Sequence, residues 1–174
     1  MIFFLLLAMG LIEEFLKKNK FDSRESFVKK LSSKSVCISL NFFGFNNVEP
    51  VWGDKFNYEL SKCRFGLNLS RGEPIKYYSS NRIASYVANG LPTLIDEKVQ
   101  FNDFFTNNEM IFYKDVQDLI DKVNFYKKNE RLRTKIAING RQKYFKIFDN
   151  NIVSDYILTK TLEIKPSYTY VWDK

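Results

Sequence analysis

The stretch Phe65–Asp96, FGLNLSRGEPIKYYSSNRIASYVANGLPTLID, decides how this chain is read. It runs as a short apolar strand, a polar loop carrying Arg71, Glu73 and Lys76, a helix opened by Ser79, Ser80 and Asn81, then Asn89-Gly90-Leu91-Pro92 and a second strand. In an α/β sheet that order sets a cationic, hydroxyl-rich loop and a helix N-terminus at the carboxyl end of a strand. Backbone N–H groups and the helix dipole there favour an anion such as a phosphate. Arg71 offers an always-charged planar fork and Lys76 a flexible point charge, a pair suited to a diphosphate. Ser79, Ser80 and Asn81 either cap the helix or donate to phosphate oxygens. Arg82 opposes the dipole of its own helix, so an anion or Glu73 is needed to neutralise it. Glu73 either joins Arg71 or Arg82 in an ion pair or binds a sugar hydroxyl. Tyr77 and Tyr78 either stack on a base or pack at the rim. Gly90 supplies the positive φ of a helix C-cap, and Pro92 stops the helix before the strand.

Working outward, Asp22 or Ser23 caps a helix that carries Phe27, Val28 and Leu31 at helical spacing. Ser35–Leu40 has the β-branched content of a buried strand, and Asn41–Gly53 is an aromatic, turn-rich loop. Asp54 caps a helix through Phe56, Leu60 and Cys63. Leu94-Ile95 and Met110–Tyr113 complete the strands, and Asp115 caps a helix with Val116, Leu119, Ile120 and Val123 on one face. Arg131–Phe148 and a last helix introduced by Asn150-Asn151 follow. Strands alternating with helices predict an α/β fold: a Rossmann-like open parallel sheet of about four strands, with the C-terminal helices packed across it. Ligands of such sheets bind beyond the carboxyl ends of the strands. That singles out the loops Asn41–Gly53, Ser70–Asn81 and Asp96–Phe104.

The chain has 174 residues, 45% of them hydrophobic, with 17 Phe and 10 Tyr, enough for a real core. Its net charge of +7 permits anionic partners, but much of the excess falls in solvated helical pairs such as Lys17-Lys18 and Lys127-Lys128. No stripe of basic and aromatic residues marks a nucleic-acid binder, so none is expected as a partner. There is no histidine, which removes His–Cys zinc sites and the Ser-His and Cys-His catalytic pairs. Cys37 and Cys63 read as buried reduced thiols of a cytoplasmic protein. The apolar start, MIFFLLLAMGLI, is too short to span a bilayer and lacks the basic start of a signal peptide. It reads as a core-facing helix, as a membrane-surface anchor, or as a face that once met another domain. Residues 1–33 are accordingly expected as an N-terminal helical segment, and residues 34–174 as the Rossmann-like domain.

The run Arg82–Asp96, RIASYVANGLPTLID, resembles the R-x-x-E-x-x-A-x-G-x-P signature of glycosyltransferases with the GT-B fold. It is similar in particular to the C-terminal domain of spore-maturation-like (CgeB-like) "glycosyl transferases group 1" proteins. Gly66–Arg71 fits that family's strand and loop. Ile111–Val123 and Asn129–Gly140 are similar to its Y-x-D-x-x-E-L-x-x-K-I and N-x-E-x-R-x-x-I-A-x-x-G tail, so the resemblance extends over Phe65–Asp155. It implies the donor-binding half of a two-domain enzyme, holding a nucleotide-diphospho-sugar for transfer to a glycan, lipid or protein acceptor. It also implies no metal or other cofactor. Arg71 and Lys76 are expected to act on the leaving diphosphate, with Ser80, Asn81 and Arg82 lining the same end and Glu73, Tyr78, Ser79 and Ser85 completing the donor site.

Two departures stand out. The signature glutamate falls on Ser85, which loses a charge-assisted contact. A second domain, on a partner chain or upstream, is needed to hold the acceptor, and MIFFLLLAMGLI is then the remnant of the segment between the two. The competing expectation is a catalytically inactive nucleotide-binding or interaction module of the same fold.

Overall fold

The computed structural model describes residues 4–7, 24–34, 39–44, 47–70 and 72–173. In chain order the elements are β1 (Phe4–Leu7), α1 (Arg24–Lys34), β2 (Asn41–Phe43), α2 (Gly53–Ser61), β3 (Phe65–Asn68), α3 (Asn81–Ala88), β4 (Thr93–Asp96), β5 (Ile111–Tyr113), α4 (Val116–Lys128), α5 (Glu130–Phe148) and α6 (Asn150–Leu162). Single turns of 3-10 helix, Glu97–Val99 and Phe101–Asp103, follow β4. All strand pairs are parallel, in the order β2-β1-β3-β4-β5. This is a Rossmann-like open sheet with helices on both faces.

Successive strand residues point to opposite faces, so a strand buried on both sides reads as a continuous apolar run. β3 obeys this rule. Phe65, Leu67 and Leu69 pack with Leu94, Ile111 and Tyr113 against Val28 and Leu31 of α1 and Leu119, Ile120 and Val123 of α4. On the other face Ile95 and Phe112 meet Ile83 and Val87 of α3 and Tyr144 and Ile147 of α5. Gly66 lies on that second face because α3 comes very close: an added Cβ would sit 2.3 Å from the Tyr86 ring. Cys63 is a buried free thiol, and Cys37 lies outside the described residues.

Three sequence expectations change. Phe4–Leu7, inside the segment read as helical, is a strand between β2 and β3. An unbroken apolar run has no period that separates a buried strand from a buried helix, and here sheet pairing takes it. The remainder of that run lies outside the described residues. The second strand comes later than expected, because Asn41–Phe43 pairs with β1 where a loop was read. Ser35–Ile38 are outside the described residues, and Ser39 and Leu40 precede the strand. The sheet therefore has five strands rather than about four.

The cap of α4 falls where it was expected, and those of α6 and α2 lie elsewhere. Asp115 caps α4, accepting from the N–H groups of Gln117 (2.8 Å) and Asp118 (3.0 Å). Asp149, rather than Asn150, caps α6. α2 starts behind Trp52 without a side-chain cap, which leaves Asp54 inside its first turn. The cap expected at Asp22 or Ser23 lies outside the described residues.

The chain passes from β1 to β2 on one side, then returns across β1 to reach β3, β4 and β5 on the other. The winding reverses between β1 and β3, and such a sheet opens a crevice at the carboxyl ends of those two strands.

Candidate functional site

β3 ends in Asn68, a polar residue 2% exposed among apolar neighbours. A buried amide needs a partner, and Ser80 Oγ donates to its Oδ1 at 2.7 Å. That bond ties the start of α3 to the end of β3, so Ser80 occupies the N-cap position without capping. The Ile83 N–H closes the first turn of α3 on the Ser80 carbonyl (2.9 Å), and the helix starts beside the end of β3 at the carboxyl edge of the sheet.

Two guanidinium groups meet the same strand end. Arg82 Nη2 donates to the Leu69 carbonyl (2.6 Å), and Arg24 Nε donates to the adjoining Ser70 carbonyl (3.0 Å). They come from the first turns of α3 and α1, the helices that leave the strands on either side of the crevice. Burial pushes the Tyr86 hydroxyl far above its ordinary pKa, and the charges of Arg82 and Arg24 both work against that rise, which sets both cations in the same neighbourhood. The positive charge of this edge therefore comes from fixed, backbone-anchored arginines.

The loop beyond β3 docks on the segment that follows β4. Tyr77 takes a left-handed backbone (φ 60°). Its N–H donates to the Val99 carbonyl (2.8 Å), its hydroxyl to Asp103 Oδ2 (2.5 Å), and its ring lies 4.8 Å from that of Phe104. Lys76 is exposed, its ammonium 4.6 Å over the Tyr77 ring. Tyr78 is 41% and Ile75 66% exposed on the same loop.

At the end of β4, Asp96 stands in register with Tyr113 of β5, whose hydroxyl approaches the Asn68 carbonyl at 3.5 Å. Burial raises the Asp96 carboxyl above its ordinary pKa, although it accepts from the Lys98 N–H (2.9 Å). Burial likewise drives the Tyr113 hydroxyl far upward, with the Asp96 charge adding to the rise.

Of the residues singled out by sequence, Ser80, Asn81 and Arg82 gather at the start of α3. Ser79 Oγ lies 3.5 Å from the Tyr144 hydroxyl of α5. Glu73 is exposed and has no ion pair among the described residues. Ser85 turns back on its own helix, donating to the Asn81 carbonyl (3.0 Å). Arg71 lies outside the described residues.

Sequence reasoning missed Arg24, Asn68 and the Tyr77–Asp103 contact. Two of them carried a signal: an arginine in a helix first turn, as at Arg82, and one amide in an apolar strand. The Tyr77 contact spans two loops and has no local mark.

Residues 23–159 match the model of the family described as glycosyl transferase-like, over three quarters of the chain and from the start of α1 into α6. A search of curated proteins gives no match. On the strength of that match, which takes in α1, β3, α3 and β4 with Arg24, Arg82 and Asp96, the chain belongs to the glycosyl transferase-like family.

Proposed function

We propose that the chain is the donor-binding half of a GT-B glycosyltransferase and holds a nucleotide-diphospho-sugar at the carboxyl edge between β1 and β3. The observation that carries this reading is the pair of arginines, Arg24 and Arg82, anchored on the carbonyls of Ser70 and Leu69 beside the uncapped start of α3. When the acceptor oxygen attacks the anomeric carbon, the bond to the diphosphate breaks and negative charge collects on the departing phosphate. Fixed cations and helix N–H groups at that point stabilise the charge without having to reorganise. Arg82 and Asn81 would lie nearest the phosphates. Arg71 and Lys76 would close over them as the groups acting on the leaving diphosphate. Ser79, Ser80, Glu73 and Tyr78 would form the surrounding wall. The ordered motifs support a kinship with the CgeB-like proteins. Transfer itself would use a second domain for the acceptor, and no metal.

Ser85 favours a second reading. It stands where the signature has glutamate, and its hydroxyl is engaged by Asn81, so no carboxylate is offered to a ribose or sugar at that position. A nucleotide-binding module without transferase activity would have this feature.

Thermal unfolding with UDP, GDP and ADP tests the shared premise. A ligand at a hundred times its Kd stabilises by about 2.7 kcal/mol, a readily measured rise in Tm. The expected result is a rise with one of the three that Lys76→Glu reduces. No rise at millimolar nucleotide would remove the reading. Donor hydrolysis, followed by release of the nucleoside diphosphate, separates the two versions: turnover supports the enzyme and binding without turnover supports the module.

A further inference from the structure

A second cationic site lies at the opposite edge of the sheet, where β3 and β4 begin. A cavity of about 240 Å³ opens there between Arg64, the Gly90–Pro92 turn and one face of α5. Three arginines line it, Arg64, Arg133 and Arg141, and no aspartate or glutamate does. Thr134 adds a hydroxyl, and Leu91 and Ile138 add apolar wall. None of these residues takes part in the carboxyl-edge site.

Helix capping accounts for part of this charge. Arg133 Nη1 donates to the Tyr126 carbonyl near the end of α4, and Arg141 Nε to the Ala88 carbonyl at the end of α3, each at 3.3 Å. Those bonds are long for a charged donor, which prefers about 2.7–2.9 Å. A guanidinium also carries five N–H groups, so capping occupies only part of each fork. The carboxylate that meets Arg133, Glu130, stands 3.3 Å away with its side chain 81% exposed, while the arginine side chain is 10% exposed. Capping does not account for Arg64, which has no hydrogen bond or ion pair among the described residues.

Like charges gathered round one cavity repel, and that cost is offset when an anion enters between them. The Cys63 thiol, also on the wall, is pushed up to about 11 by burial and so adds no negative charge at neutral pH. Water takes about 30 Å³ per molecule in the liquid, so the cavity has room for a tetrahedral oxyanion and part of the molecule that bears it.

We infer that this amino-edge cavity binds the phosphate group of a small molecule, with Arg64 and Arg141 as its forks and Arg133 as its buried charge. This cavity shares no residue with the proposed donor site.

Backbone-amide NMR of the full chain, titrated with inorganic pyrophosphate at physiological salt, follows Leu91, Thr134 and Ala137 for this cavity and Ser80 and Asn81 for the carboxyl edge. The amides of Leu91, Thr134 and Ala137 are expected to shift saturably. Arg64→Glu, an exposed substitution, should weaken that response by at least about tenfold and leave Ser80 and Asn81 unchanged. Arg141→Gln should weaken it less, and Lys76→Glu not at all. Amides at Leu91 and Thr134 that stay still in millimolar pyrophosphate overturn the inference. So does a response of equal strength in wild type and Arg64→Glu. Silence at Ser80 and Asn81 alone counts against the donor site and leaves this one standing.

Discussion

Asn68 and Ser80 form a buried pair in which neither polar group has water as an alternative. Asn68→Leu keeps the volume but strands the Ser80 hydroxyl. Urea denaturation should record a loss of about 1–3 kcal/mol, whereas the double change with Ser80→Ala should cost less than the sum of the two single changes. Gly140 gives a prediction whose sign is set by one contact. Alanine normally gains about 1 kcal/mol over glycine inside a helix, yet here its Cβ would stand 2.2 Å from the Glu109 carbonyl oxygen. Gly140→Ala should therefore destabilise by about 1–3 kcal/mol, read from the denaturation midpoint.

Glu109 itself is a pH-dependent tie. Burial alone would raise its carboxyl, but bonds from Thr106 and the nearby Lys143 ammonium outweigh that and hold it below the ordinary value. Asp118, bonded by Lys122 and the Lys114 N–H, is lowered in the same way against a burial effect of opposite sign. Both groups bind protons more weakly in the folded than in the unfolded chain. Their stabilisation is present above the unfolded carboxylate pKa and is lost as pH falls through the folded one. Tm should fall on acidification, and less steeply in Glu109→Gln. Asp96, raised by burial, works in the other direction and is favoured when protonated.

Among the elements, the loop between β3 and α3 owes its shape to Tyr77, whose ring, hydroxyl and N–H all reach the segment after β4. β3 and α4 were legible because each carries its own period: Phe65 and Leu67 along β3, and Leu119, Ile120 and Val123 along α4. The docking of one loop on another was not, since Tyr77 and Asp103 are joined only once β3 and β4 lie side by side. Tyr77→Ala should leave the sheet intact and speed hydrogen exchange at Gly72–Ser79. If that loop closes over a phosphate, nucleotide affinity should fall by about three- to tenfold, the equivalent of one modest contact. An exchange pattern unchanged from wild type would show that the loop is held by other contacts.

At the scale of the whole molecule, charge is divided between two edges of one sheet: Arg24 and Arg82 where the strands end, and Arg64, Arg133 and Arg141 where they begin. Nucleotide binding driven by such charges should weaken as salt rises toward 1 M, where the screening length drops to about 3 Å. Among the described residues no helix is long and apolar enough to cross a membrane. What the residues determined alone was the alternation of strand and helix, the parallel sheet it requires, and the cationic turn leading into α3, because short-range period and capping are written in neighbouring residues. Tertiary structure decided that Phe4–Leu7 is a strand between β2 and β3, that Arg24 joins Arg82, and that three arginines line the amino-edge cavity. Each of these brings together groups far apart in the chain, and only the packing of the sheet sets their distance.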